Sequence, residues 1–227
     1  MNNKMSYSSW SQHYIYDDTD SATCNVNIDE WRRIHDEAVG AERIFAKIVV
    51  GDKITYIALG APVTELVPHS AHTALFLPAW ILDILGIEGS GETVQVEWLD
   101  SDHFPEATRI VLRPHDSAFQ HADIKEELER ALTSMGVLQL GSSIPVALKE
   151  LGGFTVMFDV VGLEPTALAL MQGDEVAIEF DEAVDAVPVA PPPTPVEPAE
   201  PMLPIINDGG YKLGGTRRTP GWNPWKI

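Results

Sequence analysis

Leu75–Glu97, LFLPAWILDILGIEGSGETVQVE, decides how this chain is read. An apolar strand runs into Leu77-Pro78. A short helical pattern follows, with Trp80, Ile81, Ile84 and Leu85 on its apolar side. Gly86, Gly89 and Gly91 then mark a turn, and Val94, Val96 and Trp98 alternate as a strand does. Proline opens a helix because the missing N–H has no partner there anyway, and glycine closes it.

A weaker copy of this unit precedes it. Sliding the chain by 49 residues lays Val26 over Leu75, Ile28 over Leu77, Trp31 over Trp80, Gly40 over Gly89 and Phe45 over Val94. The order NVNI, DEWRRIHDEAVG, IFAKIVV repeats strand, helix, turn and strand. Two such units, neither able to bury its own apolar face, are expected to share one core.

The rest of the chain falls into blocks. Residues 1–22 are polar with scattered aromatics and read as a disordered arm. Residues 23–114 are strand-rich. Ile54–Leu59 and Thr73–Leu77 look like a hairpin-like pair around Pro62 and Pro68, and Ile110–Leu112 closes the block. Residues 115–186 change character. Asp123 is expected to cap a helix whose buried face is Ile124, Leu128, Ala131, Leu132 and Met135, with Glu126 and Glu127 favoured by the dipole in its first turn. Strands are expected at Ile144–Leu148, Phe154–Val161 and Glu175–Phe180, the first two joined through Gly152-Gly153. Residues 187–227 begin with VPVAPPPTPVEPAEPMLP, a semi-rigid spacer, and end in a peptide rich in glycine, cations and aromatics. From Pro188 onward three acids face four bases, against a net charge of −19 for the whole chain. A basic, aromatic peptide on a stiff leash is one way to present a short binding motif.

Composition narrows the function. The 227 residues, 44% of them hydrophobic, suffice for a substantial core. A charge of −19 argues against nucleic-acid binding through phosphates and against anionic membranes. Cys24 is the only cysteine, so neither an intrachain disulfide nor a cysteine-built zinc site is available. The polar start MNNKMSYSSWSQHY has no secretory pattern, and the longest apolar run, Ala74–Ile87, is broken by Pro78 and Asp83. A soluble protein of a reducing compartment is expected.

Catalytic patterns are sparse. No P-loop, G-x-S-x-G elbow or H-E-x-x-H helix is present. His69 and His72 read as a surface loop rather than a metal site. His115, Asp116 and Ser117 are sequence neighbours, which cannot face one another as a triad does, and suit a turn after Pro114. Gly89-Ser90 and Gly141-Ser142 read as turns. No catalytic residue, metal ligand or cofactor is assigned, which favours a binding module.

Four segments together resemble the ubiquitin fusion degradation protein 1 family, the substrate-recruiting cofactor of the valosin-containing AAA ATPase. They are Leu75–Glu97; LRPHDSAFQHADIKEELERAL over 112–132; VLQLGSSIPV over 137–146; and MQGDEVAIEF over 171–180. The resemblance implies a mainly β, α+β protein: a double-psi β-barrel, then a small α+β roll, then a Pro-rich tail. It implies a non-enzymatic adaptor, cytoplasmic or nuclear, that binds ubiquitin or polyubiquitin and delivers clients to the ATPase N-domain for unfolding and proteasomal degradation. The nuclear protein localisation 4 homologue is the partner used in that family. The family's ATPase-binding box, Phe-x-Gly-x-Gly-x-x-Leu, is approximated by INDGGYKL. Here Ile206 and Asp208 replace Phe and Gly, while Gly210 and Leu213 match. With Gly209, Tyr211 and Gly214, these residues form the expected docking peptide, glycines letting the backbone lie close while Tyr211 and Leu213 fill apolar pockets. The alternatives are a double-psi barrel enzyme, a decarboxylase maturing at Gly89-Ser90 or Gly141-Ser142 or a small hydrolase, and a structural protein without either ligand.

Overall fold

Alternating burial shapes the first half of the chain into a sheet that closes on itself. The computed structural model describes residues 4–16, 21–64, 73–117, 124–148, 152–172 and 176–185. Met1–Val187 and Pro188–Ile227 separate as two units, and the second lies outside the described residues.

The strands are β1 Met5–Ser11, β2 Thr23–Val26, β3 Ile44–Val50, β4 Lys53–Leu59, β5 Ala74–Leu77 and β6 Ser90–Asp100. They form a closed barrel in the order β1-β5-β2-β4-β3-β6. Helix α1 (Ile28–Glu37) links β2 to β3, and α2 (Ala79–Leu85) links β5 to β6. Exchanging β1 with β4, β2 with β5 and β3 with β6 maps the closed order onto itself. The 49-residue slide marks this relation: Val26 and Leu75 face each other in register across β2 and β5. The core between them holds Val26, Ile34, Ile48, Leu75, Leu77 and Ile81, among others.

Each helix also fastens the opposite half. The Trp31 indole of α1 donates to the Gly60 carbonyl between β4 and β5, at 3.0 Å. The Trp80 indole of α2 donates to the Ser21 carbonyl between β1 and β2, also at 3.0 Å. Helix α2 ends as its sequence demands. Gly86 adopts φ +69°, and the Gly86 and Ile87 amides return to the Leu82 carbonyl.

The second lobe carries a four-stranded sheet, β12-β7-β10-β9, and a two-stranded one, β11-β8. Its elements are β7 Arg109–Pro114, α3 Lys125–Met135, β8 Val137–Gln139, β9 Ser143–Leu148, β10 Phe154–Glu164, β11 Leu168–Leu170 and β12 Ala177–Phe180. Leu128, Leu132 and Met135 of α3 pack on Ile110, Leu112, Val146 and Phe158. Asp123 lies outside the described residues.

Three expectations are corrected. Residues 1–22 are not an arm throughout: β1 runs parallel to β5 and antiparallel to β6, closing the barrel. Its inward positions are Tyr7 and Ser9, so a serine-rich strand looked solvated. Strands β4 and β5 are not a hairpin, because β2 lies between them; the hairpin joins β3 to β4 instead. The barrel does not extend to residue 114, nor does the second lobe begin at 115. Ile110 and Leu112 of β7 point into the second core, and β7 pairs with β10 and β12. Among the described residues, no helix is long and apolar enough to cross a membrane.

Candidate functional site

A tightly organised polar group in the barrel lies where α1 meets β1 and β6. Asn27 caps α1 and accepts the Glu30 amide at 2.8 Å, which places Glu30 in the first turn, facing the barrel wall. The Tyr7 hydroxyl donates to Glu30 Oε1 in a short hydrogen bond. Arg33, one turn on, grips both carboxylate oxygens, Nη2 to Oε1 at 2.7 Å and Nε to Oε2 at 2.9 Å. It also donates to Glu37 Oε1, one helical turn further along. The Trp98 indole of β6 donates to the Tyr7 oxygen at 2.8 Å, its ring edge-on to Tyr7 at 6.0 Å.

Glu30 is only 6% exposed and Tyr7 1%. A carboxylate so placed survives because bidentate Arg33 and Tyr7 replace its water. Burial, then the Glu30 hydrogen bond, pushes the Tyr7 phenol well above the ordinary tyrosine range. The Glu30 hydrogen bond in turn raises Arg33, against burial. Both shifts hold the present protonation states, a neutral phenol and a charged guanidinium. The group is therefore suited to fixing α1 on the barrel rather than to moving a proton.

Beside it opens a cavity of about 160 Å³. Ile34, Ala38 and Ile44 form its apolar floor with Met5 and Trp98, and Glu37, Asp100 and His103 are its polar lining. The His103 ring nitrogen Nδ1 lies 2.5 Å from Asp100 Oδ1.

A second junction holds the barrel against the second lobe. Arg43, just before β3, donates from Nη1 to the Thr133 carbonyl at 2.7 Å and from Nη2 to the Ser134 carbonyl at 2.8 Å. It thereby caps the open end of α3, where a cation is favoured. Gln172 donates to Glu42 at 2.9 Å nearby. Phe45, Ala58, Phe104, Val137 and Leu170 form the apolar seam between the lobes.

The residues singled out from sequence lie elsewhere. Ile206, Gly209, Gly210, Tyr211, Leu213 and Gly214 are outside the described residues, as are His69 and His72. Gly89-Ser90 is a turn: Gly89 has φ +67°, and Glu92 accepts the Ser90 amide at 2.7 Å. Gly141-Ser142 is another, with Gly141 at φ +82° and the Ser142 hydroxyl on the Gln139 carbonyl. His115 and Ser117 part company, His115 reaching Asp159 at 2.9 Å and Ser117 reaching Asp185. Asp159 also accepts from Ser143 at 2.5 Å, so the carboxylate stands between hydroxyl and imidazole. A nucleophile needs the imidazole in the middle.

Sequence reading missed the Tyr7–Glu30–Arg33 group because Tyr7 fell in the supposed arm. The Asn27-x-x-Glu30 capping spacing was a usable signal for the carboxylate. Compared with known proteins, the chain matches no family model and no curated protein.

Proposed function

We propose that this chain is a non-enzymatic adaptor of the ubiquitin fusion degradation protein 1 type, its barrel a double-psi barrel and its second lobe an α+β roll. The folded part binds ubiquitin or polyubiquitin. The peptide Ile206–Gly214 docks on the N-domain of the AAA ATPase, and the nuclear protein localisation 4 homologue is a further partner. The work is cytoplasmic or nuclear. One observation carries the reading: a closed six-stranded barrel whose strand order is unchanged by exchanging its halves, followed in the chain by a sheet-and-helix lobe. The four family-like segments supply the functional half.

Binding of the purified chain to ubiquitin chains and to the ATPase N-domain tests both parts. Deleting residues 205–215 is expected to abolish ATPase binding and to leave ubiquitin binding intact. Undiminished ATPase binding by the deletion removes the tail from the account, and no binding of ubiquitin chains by the full chain removes the adaptor. Intact mass separates this reading from a self-cleaving enzyme, which would split at Gly89-Ser90 or Gly141-Ser142.

A further inference from the structure

We propose that the cavity between α1 and the C-terminal end of β6 is a subsite for one basic side chain, arginine or lysine, presented by a protein partner. Its volume, about 160 Å³, admits a single long side chain. The floor is apolar: Ile34 and Ile44 are buried, and Trp98 is anchored through its indole to Tyr7. Such a floor suits the methylene stem of a basic residue, which lies on apolar surface while its head stays polar.

The lining decides the sign of the charge. Glu37 spends Oε1 on Arg33 and Asp100 spends Oδ1 on His103. Glu37 Oε2 and Asp100 Oδ2 have no hydrogen-bond partner among the described residues. Both side chains remain open to solvent, 49% and 36% exposed. An apolar occupant would strip water from two carboxylate oxygens and give nothing back. A guanidinium or ammonium would meet both, and a guanidinium would also lie against the Trp98 ring. Among the described residues, no lysine or arginine lines the cavity itself. Arg33 is not among the lining residues and is already committed to Glu30 and to Glu37 Oε1. The chain's net charge of −19 favours the approach of a basic partner surface.

The subsite does not depend on which partner carries the side chain, so it stands apart from the ubiquitin reading. NMR of the full chain, titrated with N-acetyl-arginine methylamide, tests it directly. Saturable shifts are expected at the Trp98 indole N–H and the Ile34 and Ile44 methyls. The neutral comparator N-acetyl-norleucine methylamide should bind at least about fivefold more weakly, the scale of a partly exposed charge-assisted contact. The same loss is expected for Glu37→Gln with Asp100→Asn, and for Ala38→Leu, which fills the cavity while leaving both carboxylates in place. Failure of the arginine amide to saturate overturns the proposal. So does equal binding of norleucine, or undiminished binding by variants that still fold.

Discussion

In the barrel, Glu30 and Tyr7 are sealed beneath α1, whereas in the second lobe the carboxylates of Glu179 and Asp181 sit on the sheet surface about half exposed. Both regions pair acid with arginine at short range: Arg33 with Glu30 in one, Arg109 with Glu179 and Arg113 with Asp181 in the other. Equal geometry does not mean equal energy. A surface pair exchanges one hydrated state for another, while a buried pair cannot lose a member without stranding a charge. The barrel has put an ionic group inside its structure, and among the described residues the interior of the second lobe is apolar.

The largest expected effect follows from that contrast. Arg33→Ala takes the bidentate guanidinium from the buried Glu30 carboxylate and should cost about 3–5 kcal/mol, read by urea unfolding. Arg109→Ala, at a solvent-exposed pair, should shift the urea midpoint far less. Comparable losses would erase the distinction between the regions.

The junction between the lobes is next. Gly136 has φ +77°, and a Cβ added there would lie 2.7 Å from the Arg43 guanidinium. Gly136→Ala should therefore destabilise by about 2 kcal/mol, part backbone strain and part clash. In an Arg43→Ala background the cost should shrink, and the double-mutant cycle measures how much. Additive losses would show that Arg43 is not pressed against that turn.

Trp80 sharpens the picture of the barrel helices. It is half-buried at the rim and tied to Ser21 by its indole, so it does not plug the core. Trp80→Ala should cost about 2 kcal/mol, below the 3–5 kcal/mol typical of a fully buried aromatic.

Smaller still are the opposite pH limits of the two regions. The Tyr7 phenol is raised above its unfolded value, so its contribution is complete below about pH 10 and is lost as pH rises toward the folded value. Tyr7→Phe should flatten the alkaline limb of the stability curve. Asp159 goes the other way. Burial opposes ionisation, yet Ser143, His115 and Arg113 hold its pKa below the usual aspartate range. That contribution is present above about pH 4 and is lost as pH falls through the folded value. Asp159→Asn should flatten the acid limb alone, and an effect on the alkaline limb would contradict the assignment.

What was legible in the sequence was local. Pro78 and Gly86 bound α2, the heptad-like spacing of Leu128, Leu132 and Met135 marks α3, and Gly152-Gly153 separates β9 from β10. The 49-residue slide even superposed Val26 and Leu75, which are register partners on the neighbouring strands β2 and β5. It stopped short of β1 because register there has slipped: Phe45 and Val94 superpose, but they face Ala58 and Tyr7, which do not. Pairing order is the property a local pattern lacks. Nothing in Ile54–Leu59 or Thr73–Leu77 says that β2 lies between them, and nothing in Ile110–Leu112 says which core it enters. The site was hidden for the same reason, since Glu30 acquires its meaning from Tyr7, 23 residues earlier.

Hydrogen exchange along β1 is the most direct test of the closed barrel on which the Tyr7 group, the cavity and the adaptor reading rest. Amides of Met5–Ser11 that bond to β5 or β6 should be protected to nearly the same degree as those of Ser90–Asp100. If Met5–Ser11 instead exchanges at the rate of an unstructured peptide while β6 stays protected, the barrel is open on that side.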